Sequence, residues 1–109
     1  MAETPTARVR PTAVPADLAA LSGPGARGPV QLPRHVRWSG PPTIHNLDER
    51  SHRISVYEQV LCEGTPVDVA DFIGLDDLID LWDDLYLPDH VRRAWSEAAR
   101  DQLGIELPI

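Results

Sequence analysis

Five carboxylates crowd one stretch of ten residues: Asp76, Asp77, Asp80, Asp83 and Asp84. Asp76, Asp77 and Asp80 spell Asp-Asp-x-x-Asp, the spacing with which isoprenoid synthases hold Mg²⁺ and diphosphate, because carboxylates one helical turn apart can share hard cations. Such enzymes also need a large helical cavity and a second acidic motif, and this 109-residue chain supplies neither. The string also lacks the central Gly and the twelfth-position acid of a calcium loop. It therefore reads as a solvated acidic helix face, with no metal expected. Like charges at i,i+4 cost a few tenths of a kcal/mol per pair, a cost that a basic protein partner would relieve.

The other reactive side chains form no catalytic pattern. His35, His45, His52 and His90 have no His-x-x-x-His spacing. Cys62 sits in an amphipathic stretch, where a structural thiol is expected. Ser39, Ser51 and Ser55 lie in no nucleophile elbow. The expectation is a protein without catalytic residues, metal or cofactor. Arg27, Arg34 and Arg37, beside His35 and Trp38, could contact phosphates and stack on bases. Against that stand a solvated strand face and an internal contact between this basic segment and the acidic one. Residues 65–75 look like the first helix and turn of a helix-turn-helix, but the helix that would enter the groove carries the five Asp and no Arg. That pair reads better as a packing unit.

The elements that position these residues divide the chain. Seventeen acidic residues face ten cations, all Arg, for a net charge of −7. The excess is uneven: residues 1–40 are net +3 and residues 41–109 net −10. An overall acidic chain does not coat nucleic acid or an anionic membrane. One Cys cannot form an internal disulfide, which suits a reducing cytoplasm. The start of the chain has no basic-apolar leader, and no stretch approaches the ~18 apolar residues of a membrane span.

Residues 1–13 have frequent Pro and no apolar period, the composition of a mobile arm. Residues 14–109 are expected to form one domain, with a short helix plus β-hairpin over 14–45 and a helical bundle over 46–104. Pro15 to Leu21 allows one or two helical turns, stopped by Gly23. Alternation at Val30, Leu32, Val36 and Trp38 predicts an extended strand over 29–38, with Pro33 at an edge or bulge. Its partner would be a short strand over 43–45, across a turn at 39–42.

Four amphipathic helices follow. Asn46 and Glu49 have capping-box spacing before an apolar face of Ile54, Tyr57, Val60 and Leu61 that ends at Gly64. Thr65 and Pro66 start a second, short helix with Val69, Phe72 and Ile73 inward. The third runs over 75–85 with Leu75, Leu78, Ile79, Trp82 and Leu85 inward, and Pro88 interrupts it. The fourth places Val91, Ala94, Trp95 and Ala98 on one side and Arg92, Arg93, Glu97 and Arg100 on the other, before Gly104. The expected core is Ile54, Tyr57, Leu61, Phe72, Leu78, Ile79, Trp82, Val91 and Trp95. The apolar tail 105–109 either docks or dangles.

The strings Val56-Tyr57-Glu58-Gln59-Val60-Leu61-Cys62-Glu63-Gly64-Thr65, Leu81-Trp82-Asp83-Asp84-Leu85-Tyr86-Leu87-Pro88 and Val91-Arg92-Arg93-Ala94-Trp95 carry a resemblance. With residues 15–24 and 36–40 they resemble a group of small proteins of high-GC bacteria, some encoded beside nucleotidyltransferase toxins of the abortive-infection type. The resemblance implies an antitoxin or accessory role and transfers no catalytic residue. The leading expectation is a non-enzymatic module that binds a basic protein through Asp76, Asp77, Asp80, Asp83 and Asp84. The rival is a transcriptional regulator that binds DNA through Arg27, Arg34 and Arg37 with Trp38, or through Arg92 and Arg93.

Overall fold

The computed structural model describes residues 13–23, 25–36 and 44–108. The arm expected over 1–13, Ala13 excepted, lies outside the described residues, as do Arg37, Trp38, the turn at 39–42 and Thr43. Along the described chain come a 3₁₀ turn Leu18–Leu21, strands β1 (Pro29–Gln31) and β2 (Ile44–Asn46), and helices α1 (Arg50–Glu63), α2 (Pro66–Phe72) and α3 (Leu75–Leu81). A second 3₁₀ turn, Trp82–Asp84, and helix α4 (Asp89–Leu103) complete it. This is the mainly helical architecture that the patterning predicts: four helices behind a short helix and a two-stranded sheet.

Local chemistry accounts for most boundaries. Asp17 caps the first 3₁₀ turn by accepting the Ala19 amide at 3.1 Å, and Leu18 and Leu21 are buried. The turn is tied to α4, because the Leu18 amide donates to Gln102 Oε1 at 2.7 Å. At α2, the Thr65 side chain accepts from the Asp68 amide and the Asp68 carboxylate accepts from the Thr65 amide, a full capping box with Pro66 at the first position. Helix α4 ends at Gly104, whose φ of 67° supplies the left-handed residue of a glycine cap, its amide donating to Arg100 O at 3.1 Å.

Three expectations need correction. β1 and β2 pair antiparallel in the register Pro29↔Asn46, Val30↔His45, Gln31↔Ile44. The strand expected over 29–38 stops at Gln31, because Pro33 has no N–H to donate and the chain instead closes a turn through Val36 N–H to Pro33 O at 3.0 Å. Asn46 does not cap α1. Its backbone belongs to β2 and its side chain accepts from the Asp48 amide at 3.1 Å, so the cap position falls to Glu49, whose side chain makes no capping bond. The helix expected over 75–85 is α-helical only to Leu81 and tightens into the 3₁₀ turn, where Arg92 donates to the carbonyls of Leu85 at 2.9 Å and Trp82 at 3.4 Å.

The core centres on Tyr57, Leu78, Trp82, Val91 and Trp95, joined by Leu61, all buried. Ile54 and Phe72 pack at its margin. Ile79 is 41% exposed: the buried face of α3 runs through Leu75, Leu78, Leu81 and Trp82, which turns Ile79 outward. Leu18, Leu32, Val36 and Leu47 add core side chains from outside the four helices. Val14 and Ala13, the latter assigned by composition to the arm, pack against the core.

Candidate partner-binding surface

Successive residues of a helix are rotated by about 100°, so Asp76, Ile79, Asp80 and Asp83 share one outward strip while Asp77 falls on a flank. The structure follows that division. Asp76 and Asp83 are exposed and make no ion pair among the described residues. Asp80 and Asp84 are exposed too, but both meet Arg50 of α1: its guanidinium lies 3.8 Å from the Asp80 carboxylate and 2.9 Å from that of Asp84, and it donates to Asp80 O at 3.2 Å. One cation thus offsets two of the five carboxylates. Ile79 stands within the strip, and Tyr86 just beyond it is 87% exposed, its amide held by the Glu58 carboxylate at 2.7 Å.

Asp77 belongs to a different structure. It is buried, and it accepts both arms of the Arg27 guanidinium, at 2.8 and 3.0 Å, and the Gly25 amide at 2.8 Å. The Arg27 fork holds its carboxyl below the usual range against the opposing effect of burial, and the Gly25 N–H adds to the shift. The neighbouring bonds run the same way. The Ala26 amide donates to Phe72 O at 3.3 Å and the Asp76 amide to Gly23 O at 3.3 Å, while the Gly74 amide donates to the Tyr57 hydroxyl at 2.9 Å. Together they fasten the loop after the first 3₁₀ turn to the α2–α3 junction. Burial pushes the Tyr57 phenol up to about 12, with the Gly74 N–H pulling the other way.

The basic candidates are dispersed. Arg27 is committed to Asp77, and Arg92 lies 4.6 Å over the Trp82 ring while donating to main-chain carbonyls. Arg34 and Arg93 are exposed. Arg37 and Trp38 fall outside the described residues.

One cluster escaped the sequence reading. His35 Nε2 lies 2.5 Å from Asp68 Oδ2, the same oxygen that accepts the Thr65 amide at 2.8 Å and the Thr65 hydroxyl at 3.1 Å. Burial would raise the Asp68 carboxyl, but the Thr65 amide, His35 and the Thr65 hydroxyl hold it below the usual range. The Thr-x-x-Asp half is legible as a capping box, whereas the His half joins residues 33 apart in sequence and has no local signal. The bonds join the 33–36 turn to α2.

His52 Nδ1 accepts the Asn46 amide at 2.8 Å, and its ring meets that of His45 edge-on at 6.0 Å. Ser55 is bonded to Gln59 at 3.1 Å. Cys62 is half-buried on α1, and burial, with Glu63 and Glu58, pushes its thiol up. Among the described residues no three His, Cys, Asp or Glu side chains could hold a metal ion, and no helix is long and apolar enough to cross a membrane. No family model, curated protein or solved structure matches the chain.

Proposed function

We propose that the chain is a non-enzymatic binding module whose outward strip on α3 and the 3₁₀ turn after it engages a basic protein in the cytoplasm. The observation that carries this reading is the pair Asp76 and Asp83, exposed carboxylates without ion-pair partners among the described residues, with the apolar Ile79 between them. Unrelieved like charge beside an exposed apolar side chain favours a surface that brings cations and an apolar contact together. Asp80 contributes through its second, solvent-facing side, and Asp84 chiefly anchors Arg50. Asp77 is withdrawn from the surface. The resemblance to small proteins encoded beside nucleotidyltransferase toxins supports an antitoxin or accessory role, since enzymes that modify RNA present basic grooves.

The test is co-purification with the product of the neighbouring gene, followed by affinity measurement. The double substitution Asp76→Arg with Asp83→Arg should weaken binding at least ~10-fold, about 1.4 kcal/mol, without unfolding the chain. Undiminished binding by that variant, or no stable partner, refutes the reading. Retention of promoter DNA that disappears with Arg34→Ala and Arg37→Ala would put a DNA-binding regulator in its place.

A further inference from the structure

Tyr86 lies in the extended segment between the second 3₁₀ turn and α4, where successive side chains point to opposite sides. Leu85 and Leu87 are accordingly buried, and Tyr86 between them is 87% exposed. The backbone around it is held at several points. The Leu85 amide donates to Trp82 O at 3.3 Å, and Leu85 O accepts from Arg92 at 2.9 Å. The Tyr86 amide donates to the Glu58 carboxylate at 2.7 Å, and the ring of Pro88 fixes its own φ two residues later. The phenol ring therefore cannot turn into the core without drawing a buried leucine out of it. An aromatic ring held toward solvent on a fixed backbone has little freedom left to lose, which is the property of the tyrosines that anchor protein interfaces.

The charges beside this ring are of one sign. Residues 83–89 carry three carboxylates, Asp83, Asp84 and Asp89, and no cation, and Glu58 adds another from α1. Asp83 and Asp89, three residues to either side of the tyrosine, are exposed and make no ion pair among the described residues. Two cations of the bundle are committed elsewhere: Arg50 to Asp80 and Asp84, and Arg92 to the Trp82 ring, to Leu85 O and to Pro108 O of the tail, whose Leu107 is buried. The face of an aromatic ring is itself electronegative, so ring and carboxylates together favour a cation. A lysine ammonium holds its hydration shell tightly, whereas a planar guanidinium stacks on a ring and still donates from its edge. Arg92 already does this inside the chain, 4.6 Å over Trp82 while its nitrogens donate to carbonyls.

We propose that Tyr86 is the aromatic anchor of the docking face and takes an arginine of the basic partner, its guanidinium stacked on the phenol ring in the field of Asp83 and Asp89. This rests on the reading of the outward strip as a surface for a basic protein, and it fixes the partner's cation at the Tyr86 end of that strip as arginine rather than lysine.

The test uses the full chain and two fluorescein-labelled probes, hepta-arginine and hepta-lysine, followed by anisotropy at low salt, where surface charges are least screened. Both peptides meet the same carboxylates, and only the arginine peptide gains by stacking. Tyr86→Leu should weaken the arginine peptide at least ~3-fold and the lysine peptide less than ~1.5-fold, the difference expected of one exposed contact between a cation and a ring. Tyr86→Phe keeps the ring and should bind both peptides as the unmodified chain does. The side chain is exposed, so both variants should keep the urea midpoint of the unmodified chain. Equal losses for the two peptides on Tyr86→Leu, or no loss for either, overturn the proposal. So does a Tyr86→Phe chain that behaves like Tyr86→Leu, which would assign the contact to the hydroxyl. Asp76→Arg reports on the strip separately and should weaken both peptides alike. Weakening by Asp76→Arg with none by Tyr86→Leu keeps the strip and removes the anchor, whereas the reverse pattern keeps the arginine preference of the ring and refutes the strip.

Discussion

Replacing Asp77 by alanine should separate it sharply from the four carboxylates beside it. Three hydrogen bonds are lost: two to Arg27 and one to Gly25. The Gly25 N–H is left in a partly buried position, a loss of about 1.5 kcal/mol for an unsatisfied donor. The Arg27 side chain is 39% exposed and recovers water, so its share is discounted to about 1 kcal/mol. Alanine in a helix returns about 0.5 kcal/mol. The net loss is about 2 kcal/mol, which for a domain of roughly 100 residues lowers Tm by about 8–16 °C. Asp76→Ala and Asp83→Ala touch no internal bond and should stay within about 0.5 kcal/mol of the unmodified chain. Urea unfolding followed by tryptophan fluorescence measures all three. A double-mutant cycle of Asp77→Ala with Arg27→Met should return a coupling near 1 kcal/mol. A coupling below about 0.3 kcal/mol, or an Asp77→Ala chain as stable as Asp76→Ala, would refute the assignment of Asp77 to the interior.

Gly25→Ala should destabilise by about 2 kcal/mol or more, because a Cβ there would fall on the Tyr57 hydroxyl, 2.5 Å from Phe72 O and 2.7 Å from Gly74 N; a urea midpoint equal to that of the unmodified chain would contradict the close approach of loop and junction. Acid should loosen the same contacts. Asp68 and Asp77 both titrate below the ordinary value of 3.8, so the unfolded chain takes up protons first and their contribution, full above that value, declines as pH falls through the folded-state values. Urea midpoints measured at about pH 6, 5, 4 and 3 should therefore drop most steeply at the acid end, less so for Asp77→Ala; a flat profile would remove both carboxylates from the stability of the fold.

The sequence makes the helices legible wherever one local signal has no competitor. Thr65, Pro66 and Asp68 all favour the start of α2, and Gly104 has the one backbone conformation that ends α4 as observed. Asn46 shows the opposite case: its spacing to Glu49 fits a cap, but the strand and a side-chain turn both claim it, and tertiary pairing with Pro29 decides. Leu18 and Leu47 are core residues that no apolar period marks, and Leu32 and Val36 alternate as in a strand yet reach the core from beyond the end of β1, because turns place them one at a time. Ile79 fits the helical period yet lies at the edge of the buried arc, and only the positions of neighbouring elements decide which edge is covered. The candidate site was half legible for a related reason. An acidic strip shows in the spacing, but Asp77 and Asp76 are chemically identical neighbours until an Arg 50 residues upstream selects one of them.

That selection changes what the charge pattern means. A +3 segment joined to a −10 bundle looks like two surfaces of opposite sign, but Arg27, one of the cations of the first, is paired with Asp77 from the second. In the bundle Arg50 serves Asp80 and Asp84, whereas Arg53 and Arg92 donate to main-chain carbonyls. The exposed carboxylates without an ion pair among the described residues, Asp76 on α3 and Asp83 in the 3₁₀ turn after it, are seven residues apart, about 11 Å along the axis. That separation exceeds the ~8 Å Debye length of physiological salt, so each attracts a cation nearly independently of the other. A partner that uses both must therefore present two cations at matching spacing, roughly two turns of a helix or three residues of an extended strand, with an apolar side chain between them to meet Ile79. Diffuse positive charge would not satisfy that geometry, so the partner proposed for the strip is a structured basic protein.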